Sequence, residues 1–495
     1  MSAFESSLWQ RASQLVKRAS SLKELSCYGL LTVVQKGAGL LLIPISTRYL
    51  SLESYGLLES LLVVFSLCSL LEMSAGALPR FYPECSHHRD KQTLLSSSLL
   101  LSCAYGAALA LLVFSTLRYL PISLFEPLTL LQQVMVAVIV WSIVVAQPLY
   151  MWLRIEGRAA AYLLVVSVQT ALQFSLAVYG LKQGWQLNAI LSASTTSSVV
   201  AMSLALLCCR QQLVLRCSWS LLKQTLRYQS CLVLASLSLF VLHGLDRLLL
   251  ASHLGPETLA RYGVMIKLVE AVALVFGIFE AWWLPKRFTI LAQENGAVTV
   301  AKVHQWLLMV ILALVSGCAL LAPWVITRLL PEAYAEGLVW LPMLLLALTA
   351  KLATSVLDIG CYLPKSPGWL PKINGMAAVL ALALYLLLIP QFGVAGLLAT
   401  LMLVYGLRLA AFSWLSLRLC PLDYQPKALL ACLVPPMMVL GVLALIGLDV
   451  NSAPLALTNL LWLAAWAYYQ WRKSGAIAAV ASHPSQNAKA ISTAA

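Results

Sequence analysis

The stretch Trp306-Leu-Leu-Met-Val-Ile-Leu-Ala-Leu-Val-Ser-Gly-Cys-Ala-Leu-Leu-Ala-Pro-Trp-Val-Ile326 runs for 21 residues without a charge. As an α-helix it would be about 30 Å long, the thickness of a bilayer's hydrocarbon core. It is apolar on every face, so no side of it calls for water. Comparable runs recur along the chain. Of its 495 residues 61% are hydrophobic and 11% are charged, against roughly 45–50% and about 25% in soluble domains. A water-soluble enzyme, a disordered chain and a collagen-like chain are excluded. The runs are continuous rather than alternating, which argues against an outer-membrane barrel. The composition predicts an all-α polytopic membrane protein.

Fourteen spans are expected, at 27–46, 57–78, 93–115, 129–153, 159–180, 189–209, 230–252, 262–284, 306–326, 338–358, 370–390, 394–417, 428–447 and 454–471. Twelve is the alternative, because Pro435-Pro436 is expected to interrupt the thirteenth span and the fourteenth is short. With the N-terminus inside, 23 of the 33 Lys and Arg fall in inner segments and five in outer loops. That asymmetry puts both termini on the cytoplasmic side. It also accounts for the net charge of +14 without nucleic acid, since the basic residues are spread over eight inner segments and no nucleic-acid motif is present. In residues 1–26, Phe4, Leu8, Ala12, Leu15, Ala19 and Leu22 recur at helical spacing beside Arg11, Lys17, Arg18 and Lys23. These fit an interfacial amphipathic helix or a frayed terminus, but not a cleaved signal peptide. The Ala- and Ser-rich tail, 472–495, reads as flexible. None of the twelve cysteines lies in an expected outer loop, so free thiols are expected rather than a disulfide framework. His87-His88 reads as a solvated loop, and no metal or other cofactor is expected.

The chain repeats itself. Leu50-Ser-Leu-Glu53, then Tyr55-Gly56, then Leu78-Pro-Arg-Phe81 is matched by Leu254-Gly-Pro-Glu257, then Tyr262-Gly263, then Leu284-Pro-Lys-Arg-Phe288. The Tyr-Gly pairs are 207 residues apart and the Leu-Pro pairs 206. Six spans separate the copies, so the halves are parallel and related by an axis along the membrane normal. The expected domains are an N-lobe at 27–209, an inter-lobe linker at 210–229, a C-lobe at 230–417 and two added helices within 428–471. The two six-helix lobes would face a central cavity.

Eleven Asp, Glu, Lys and Arg residues fall inside these spans, Lys372 at the edge of the eleventh being counted with the inner segments: Lys36, Glu59, Glu72, Asp246, Arg247, Lys267, Glu270, Glu280, Lys351, Asp358 and Arg408. Facing lipid they would together cost on the order of 30 kcal/mol, so a cavity, water or each other must receive them. Eight of the eleven lie on spans 1, 2, 7 and 8, which points to a wet cavity lined mainly by those helices. Lys36 and Lys267 are candidates for holding an anionic group. Alternatively Glu59, Glu72 or Glu270 neutralises each of them. Asp246 and Arg247 are adjacent and diverge on a helix, which suggests bridges to other helices. Glu72, Glu270, Glu280 and Asp358 are candidates for ion coupling, because burial raises a carboxyl's pKa toward neutrality. Lys351, Asp358 and Arg408 could form a network in the second lobe.

Four segments carry a resemblance. They are Leu42-Ile-Pro-Ile-Ser-Thr-Arg-Tyr-Leu50 with Glu53-Ser-Tyr55-Gly56; Gly244-Leu-Asp246-Arg247 with Tyr262-Gly263; Leu330-Pro-Glu-Ala-Tyr334; and Leu387-Leu-Ile-Pro390-Gln-Phe-Gly393-Val-Ala-Gly396. Together they resemble the Wzx-type lipid-linked oligosaccharide flippases of the multidrug/oligosaccharidyl-lipid/polysaccharide (MOP) exporter superfamily, over most of 27–417. The resemblance implies alternating access in a bacterial cytoplasmic membrane, with an undecaprenyl-diphosphate-linked oligosaccharide turned to the outer leaflet and H+ or Na+ as coupling ion. It also implies possible contact with polysaccharide polymerase machinery. Lys36 and Lys267 would meet the diphosphate and sugar, with Arg48 and Arg80 at the two mouths. The mixed signs of the membrane charges depart from a purely cationic cavity. Two relatives of the same superfamily compete: a drug or organic-cation antiporter, and a lipid II flippase. A membrane enzyme finds no support, since the outer loops are short and no H-E-x-x-H, G-x-S-x-G or P-loop motif occurs.

Overall fold

A computed structural model describes residues 35–85, 87–119, 125, 128–214, 217–363, 369–424, 426–448 and 452–474. The expected N-terminal amphipathic segment and most of the C-terminal tail lie outside the described residues. No strand occurs among them. The long helices are α1 (35–49), α2 (Leu52–Leu70), α3 (His88–Tyr119), α4 (Leu130–Ile155), α5 (Ala159–Lys182), α6 (Leu187–Cys209) and α7 (Trp219–His243). They continue with α8 (Leu245–Trp283), α9 (Gly296–Leu329), α10 (Leu341–Leu357), α11 (Trp369–Phe392), α12 (Val394–Leu419), α13 (Pro426–Ile446) and α14 (Ala453–Ser474). Among the described residues twelve segments are long and apolar enough to cross a membrane. The protein is an all-helical, multi-pass membrane protein.

Local chemistry sets the helix ends. Ser51 caps α2 by accepting the Ser54 amide at 3.1 Å. Thr129 and Gln132 cap α4 reciprocally, the Thr129 amide reaching Gln132 Oε1 at 2.9 Å. Large apolar side chains lie on the outside, among them Leu111, Val379 and Leu445. In water such a surface would aggregate; in acyl chains it is solvated.

The chain divides into two compact units. Unit 1 holds the residues up to Gly263 together with Ala381–Gly393, and unit 2 holds Val264–Leu380 with the chain from Val394 onward. In unit 1, α3, α4, α5 and α6 pack side by side on a core that includes Leu94, Leu149, Trp152, Val165 and Ala201. In unit 2, α10 packs on α12, and α9 packs on α10 and α14.

Several helices run longer than expected, such as α9, and three spans differ from the sequence expectation in where the helix is broken or continuous. The second does not run to residue 78: α2 ends at Leu70, and Glu72 turns back to cap the short 3-10 turn Ala75–Ala77. The seventh is broken. α7 stops at His243, Gly244 adopts φ −146° and ψ −34°, and helix resumes at Leu245. A second break follows at Gly255, whose φ of +82° only glycine adopts readily, and Pro256 opens the next stretch of α8. The thirteenth is not interrupted: α13 runs through Pro435 and Pro436. Pro435 leaves the Ala431 carbonyl without its intrahelical donor. Trp462 Nε1 of α14 donates to that carbonyl at 3.3 Å instead.

Candidate functional site

Buried Glu59 and Tyr262, with the Asp246 that Tyr262 bonds, lie where α2 meets the start of α8. Tyr55 and Tyr262, the repeat-related tyrosines, are both fully buried. Their glycines are the points of closest approach. A Cβ on Gly56 would collide with the Pro256 carbonyl, and one on Gly263 would stand 2.9 Å from Glu59 Cγ. Glu59 is buried at this crossing. Tyr262 Oη donates to Asp246 Oδ2 at 2.8 Å, so Asp246 is held by a phenol from the stretch of α8 beyond the Gly255 break. Glu72 lies one step beyond α2. Its Oε1 accepts the Ser74 amide at 2.7 Å and the Ser102 hydroxyl at 3.0 Å, and its Oε2 accepts the Ala75 amide at 2.7 Å. Gln229 of α7 donates to the Glu72 carbonyl at 3.1 Å. Glu72 is thus met by hydroxyls and backbone amides, and Asp246 accepts from a phenol.

Between α2 and α7 lies a cavity of about 210 Å³. Leu62, Leu70 and Phe240 give it apolar walls, and Ser66, Ser236 and Arg247 supply polar groups at the Gly244 break. Drug-sized ligand pockets measure about 300–1,000 Å³, so this one holds part of a ligand at most.

Unit 2 carries a buried ion pair. Arg287 Nη1 donates to Asp358 Oδ1 at 2.9 Å, with 3% and 8% of the two residues exposed. The guanidinium lies over the rings of Tyr362 at 4.6 Å and Phe288 at 4.9 Å. Asp358 follows the last residue of α10, outside that span, which ends at Leu357 rather than at 358 as expected. Burial pushes its carboxyl up to about 6, against the pull of Arg287, with Glu280 adding to the rise and Arg408 opposing it. The turn that carries Asp358 is pinned to α12: the Gly360 amide donates to Ser416 Oγ at 2.9 Å. Arg408 Nε donates to Asn374 Oδ1 at 2.9 Å. His304, fully buried on α9, meets Tyr424 Oη at 2.7 Å and packs edge-on against Trp283.

The remaining sequence candidates are placed as follows. Lys36 and Arg48 are exposed on α1, Lys267 is half-buried and Glu270 exposed on α8, and Glu280 and Lys351 are half-buried. Arg80 is exposed and pairs with Glu84 of its own exit segment. Sequence reasoning passes over Arg287, Ser74, Ser102, Gln229 and Asn374. Arg287 has a signal, since it stands in the Leu-Pro-Lys-Arg-Phe copy of the repeat, but in sequence it reads as a loop charge. No group of three or more His, Cys, Asp or Glu suited to a metal occurs among the described residues.

No curated protein matches the sequence. Among solved structures the chain is similar to the lipid II flippase MurJ in an inward closed conformation, at 12% identity and a TM-score of 0.63, covering 90% of this chain and 98% of that one. An inward-facing multidrug-resistance MATE transporter of the MOP superfamily gives 15% identity and a TM-score of 0.55, over 79% and 94%. A point mutant of a MATE protein gives 14% and 0.52, over 80% and 96%. These likenesses establish a fold. Family is established by sequence: the profile described as "Polysaccharide biosynthesis protein" matches residues 21–286, more than half the chain. The protein therefore belongs to the polysaccharide biosynthesis family, a group of MOP-superfamily membrane flippases and transporters rather than of catalysts.

Proposed function

We propose that this protein is a flippase that carries an undecaprenyl-diphosphate-linked oligosaccharide from the inner to the outer leaflet of a bacterial cytoplasmic membrane. One observation carries the reading: a polysaccharide-assembly family match over residues 21–286 on a chain with a transporter's fold. A protein of that family that carries no catalytic motif has translocation left to perform. The structural likeness to a lipid II flippase supports a lipid-diphosphate class of substrate over an organic cation.

In this reading 27–209 and 230–417 act as two lobes that alternately open to either side, with both termini cytoplasmic. The diphosphate and sugar enter the protein while the polyprenyl tail stays in lipid. Lys36 and Lys267 attract the diphosphate, and Arg48 and Arg80 stand at the two mouths. A proton or sodium gradient drives the cycle. The cavity beside Arg247 adds a polar recess along the route.

Deleting the gene tests the function. Lipid-linked oligosaccharide should accumulate on the inner leaflet while surface glycan is lost. Unchanged surface glycan with no trapped intermediate would sink the reading. Lys36→Ala and Lys267→Ala should each lower flipping with the protein still present in the membrane.

A further inference from the structure

The two repeat-related exits are fastened differently. In the first, Arg80 is exposed and pairs locally with Glu84. In the second, Arg287 is buried and reaches Asp358, 71 residues away, on a turn held to α12. The pair is a poor one for its depth. Asp358 is joined by the single bond from Nη1 to Oδ1; the Tyr362 side chain also engages the guanidinium, but among the described residues Arg287 Nε has no hydrogen-bond partner. Desolvating two charges is recovered only when the geometry is excellent and the remaining donors are met. The buried arrangement therefore tolerates an ionised Asp358 badly and a neutral one better. Ionisation favours whatever state lets water reach the carboxylate.

We propose that Asp358 is a proton site that governs the exit of α8: with the proton on, the Arg287 segment stays packed against the turn after α10, and with the proton off, that segment opens to water. This names a coupling ion and its acceptor, and it rests on the transport reading for its purpose. Opening frees Arg287–Leu291, the one-turn helix between Pro285 and Ala292, while the Asp358 turn stays fixed to α12. Other charges and titratable groups face the pair from each neighbouring element. Glu280 comes from α8, Cys361 and Tyr362 from the turn, Arg408 from α12, and His304 of α9 lies within electrostatic reach of Arg287. Lys286, next to Arg287, is engaged with the Trp282 ring, and Lys372 of α11 with the Trp369 ring. Burial also lifts the Asp358 carboxyl to about 6. A proton binds more tightly to the state with the higher pKa, which here is the closed one, so the sign agrees with the desolvation argument.

The test is hydrogen–deuterium exchange on the full chain in lipid nanodiscs at about pH 5 and about pH 8, each corrected for intrinsic exchange with an unstructured reference peptide. Residues 284–292 should exchange faster at the higher pH, by up to about tenfold per pH unit in the window where the carboxyl titrates, while 358–363, held to α12, should stay slow. Asp358→Asn should hold 284–292 slow at both values, while Asp358→Glu, which keeps an acid, should retain the response. Glu84→Gln, at the other exit, should leave both segments unchanged. Exchange independent of pH in the unaltered protein overturns the proposal, and that result needs no variant to fold. Two further results overturn it: an unaltered pH response in Asp358→Asn, or a response lost in His304→Gln and kept in Asp358→Asn. A pH-independent exit in a protein whose deletion traps lipid-linked oligosaccharide removes the proton site and leaves the transport reading. A responsive exit with no glycan defect does the reverse.

Discussion

At the scale of single residues, the buried polar groups show how an apolar chain accommodates charge. Asp246, Glu72 and Asp358 each end on a specific donor: a phenol, two backbone amides with hydroxyls, and a guanidinium. Removing such a donor costs more than the bond itself is worth, because the acceptor stays buried. Tyr262→Phe should lower stability by about 1.5–3 kcal/mol, the range for bonds to charged groups, measured by thermal unfolding in detergent. Arg287→Ala should cost about 3–5 kcal/mol, and Arg287→Met with Asp358→Leu should recover most of that, since replacing a buried pair by apolar groups of similar volume is often neutral or better. Equal instability of the single and double variants would refute the account of the pair. The pH dependence follows from the raised carboxyl. The folded protein binds the Asp358 proton over a range where the unfolded chain has released it, so stability should fall as pH rises from the ordinary carboxyl value of 3.8 to about 6 and be flat above. Asp358→Asn should remove that slope.

At the scale of elements, the helix breaks are the informative features. α2 ends because Glu72 provides acceptors for the Ser74 and Ala75 amides, as an N-cap residue does. Glu72→Ala strips both amides of their acceptor and should destabilise by about 1–3 kcal/mol, read from the same unfolding assay. The crossing of α2 and α8 depends on two glycines that are not equivalent. Gly56 faces a backbone carbonyl of Pro256, which cannot swing aside, whereas Gly263 faces the Glu59 side chain, which has rotamers to use. Gly56→Ala should therefore be the more damaging of the two alanine variants. Overpacked sites typically cost about 1–3 kcal/mol, and Gly263→Ala should fall at or below the lower end. If both variants unfolded together, the close approach at Gly56 would not limit the crossing.

At the scale of the whole molecule, hydrophobic run length is enough to find most helices. The spans expected at 159–180, 189–209, 370–390 and 394–417 lie within two residues of α5, α6, α11 and α12 at either end. Repeat spacing alone also flags Tyr55-Gly56 and Tyr262-Gly263, and both pairs sit at the close crossing of α2 and α8. What stays hidden is decided at long range. The end of α2 needs Ser102 and Gln229, 30 and 157 residues from Glu72. Arg287 looks like an ordinary loop charge until Asp358 is brought to it. A break is expected at Pro435-Pro436 because proline's missing donor is legible in sequence, whereas the Trp462 indole that compensates for it is not. Orientation can be tested directly. In a cysteine-free background, Lys182→Cys should react with an impermeant maleimide in intact cells, and Lys223→Cys only after permeabilisation.

That indole has a consequence for how the chain is made. α13 carries a carbonyl at Ala431 that its own backbone cannot satisfy, and the donor arrives only with α14. A lone α13 released sideways into lipid would expose that oxygen to a medium with nothing to offer it. The last two helices are therefore expected to leave the insertion machinery as a hairpin, and a ribosome stalled before Trp462 should leave the thirteenth helix unable to settle in the bilayer.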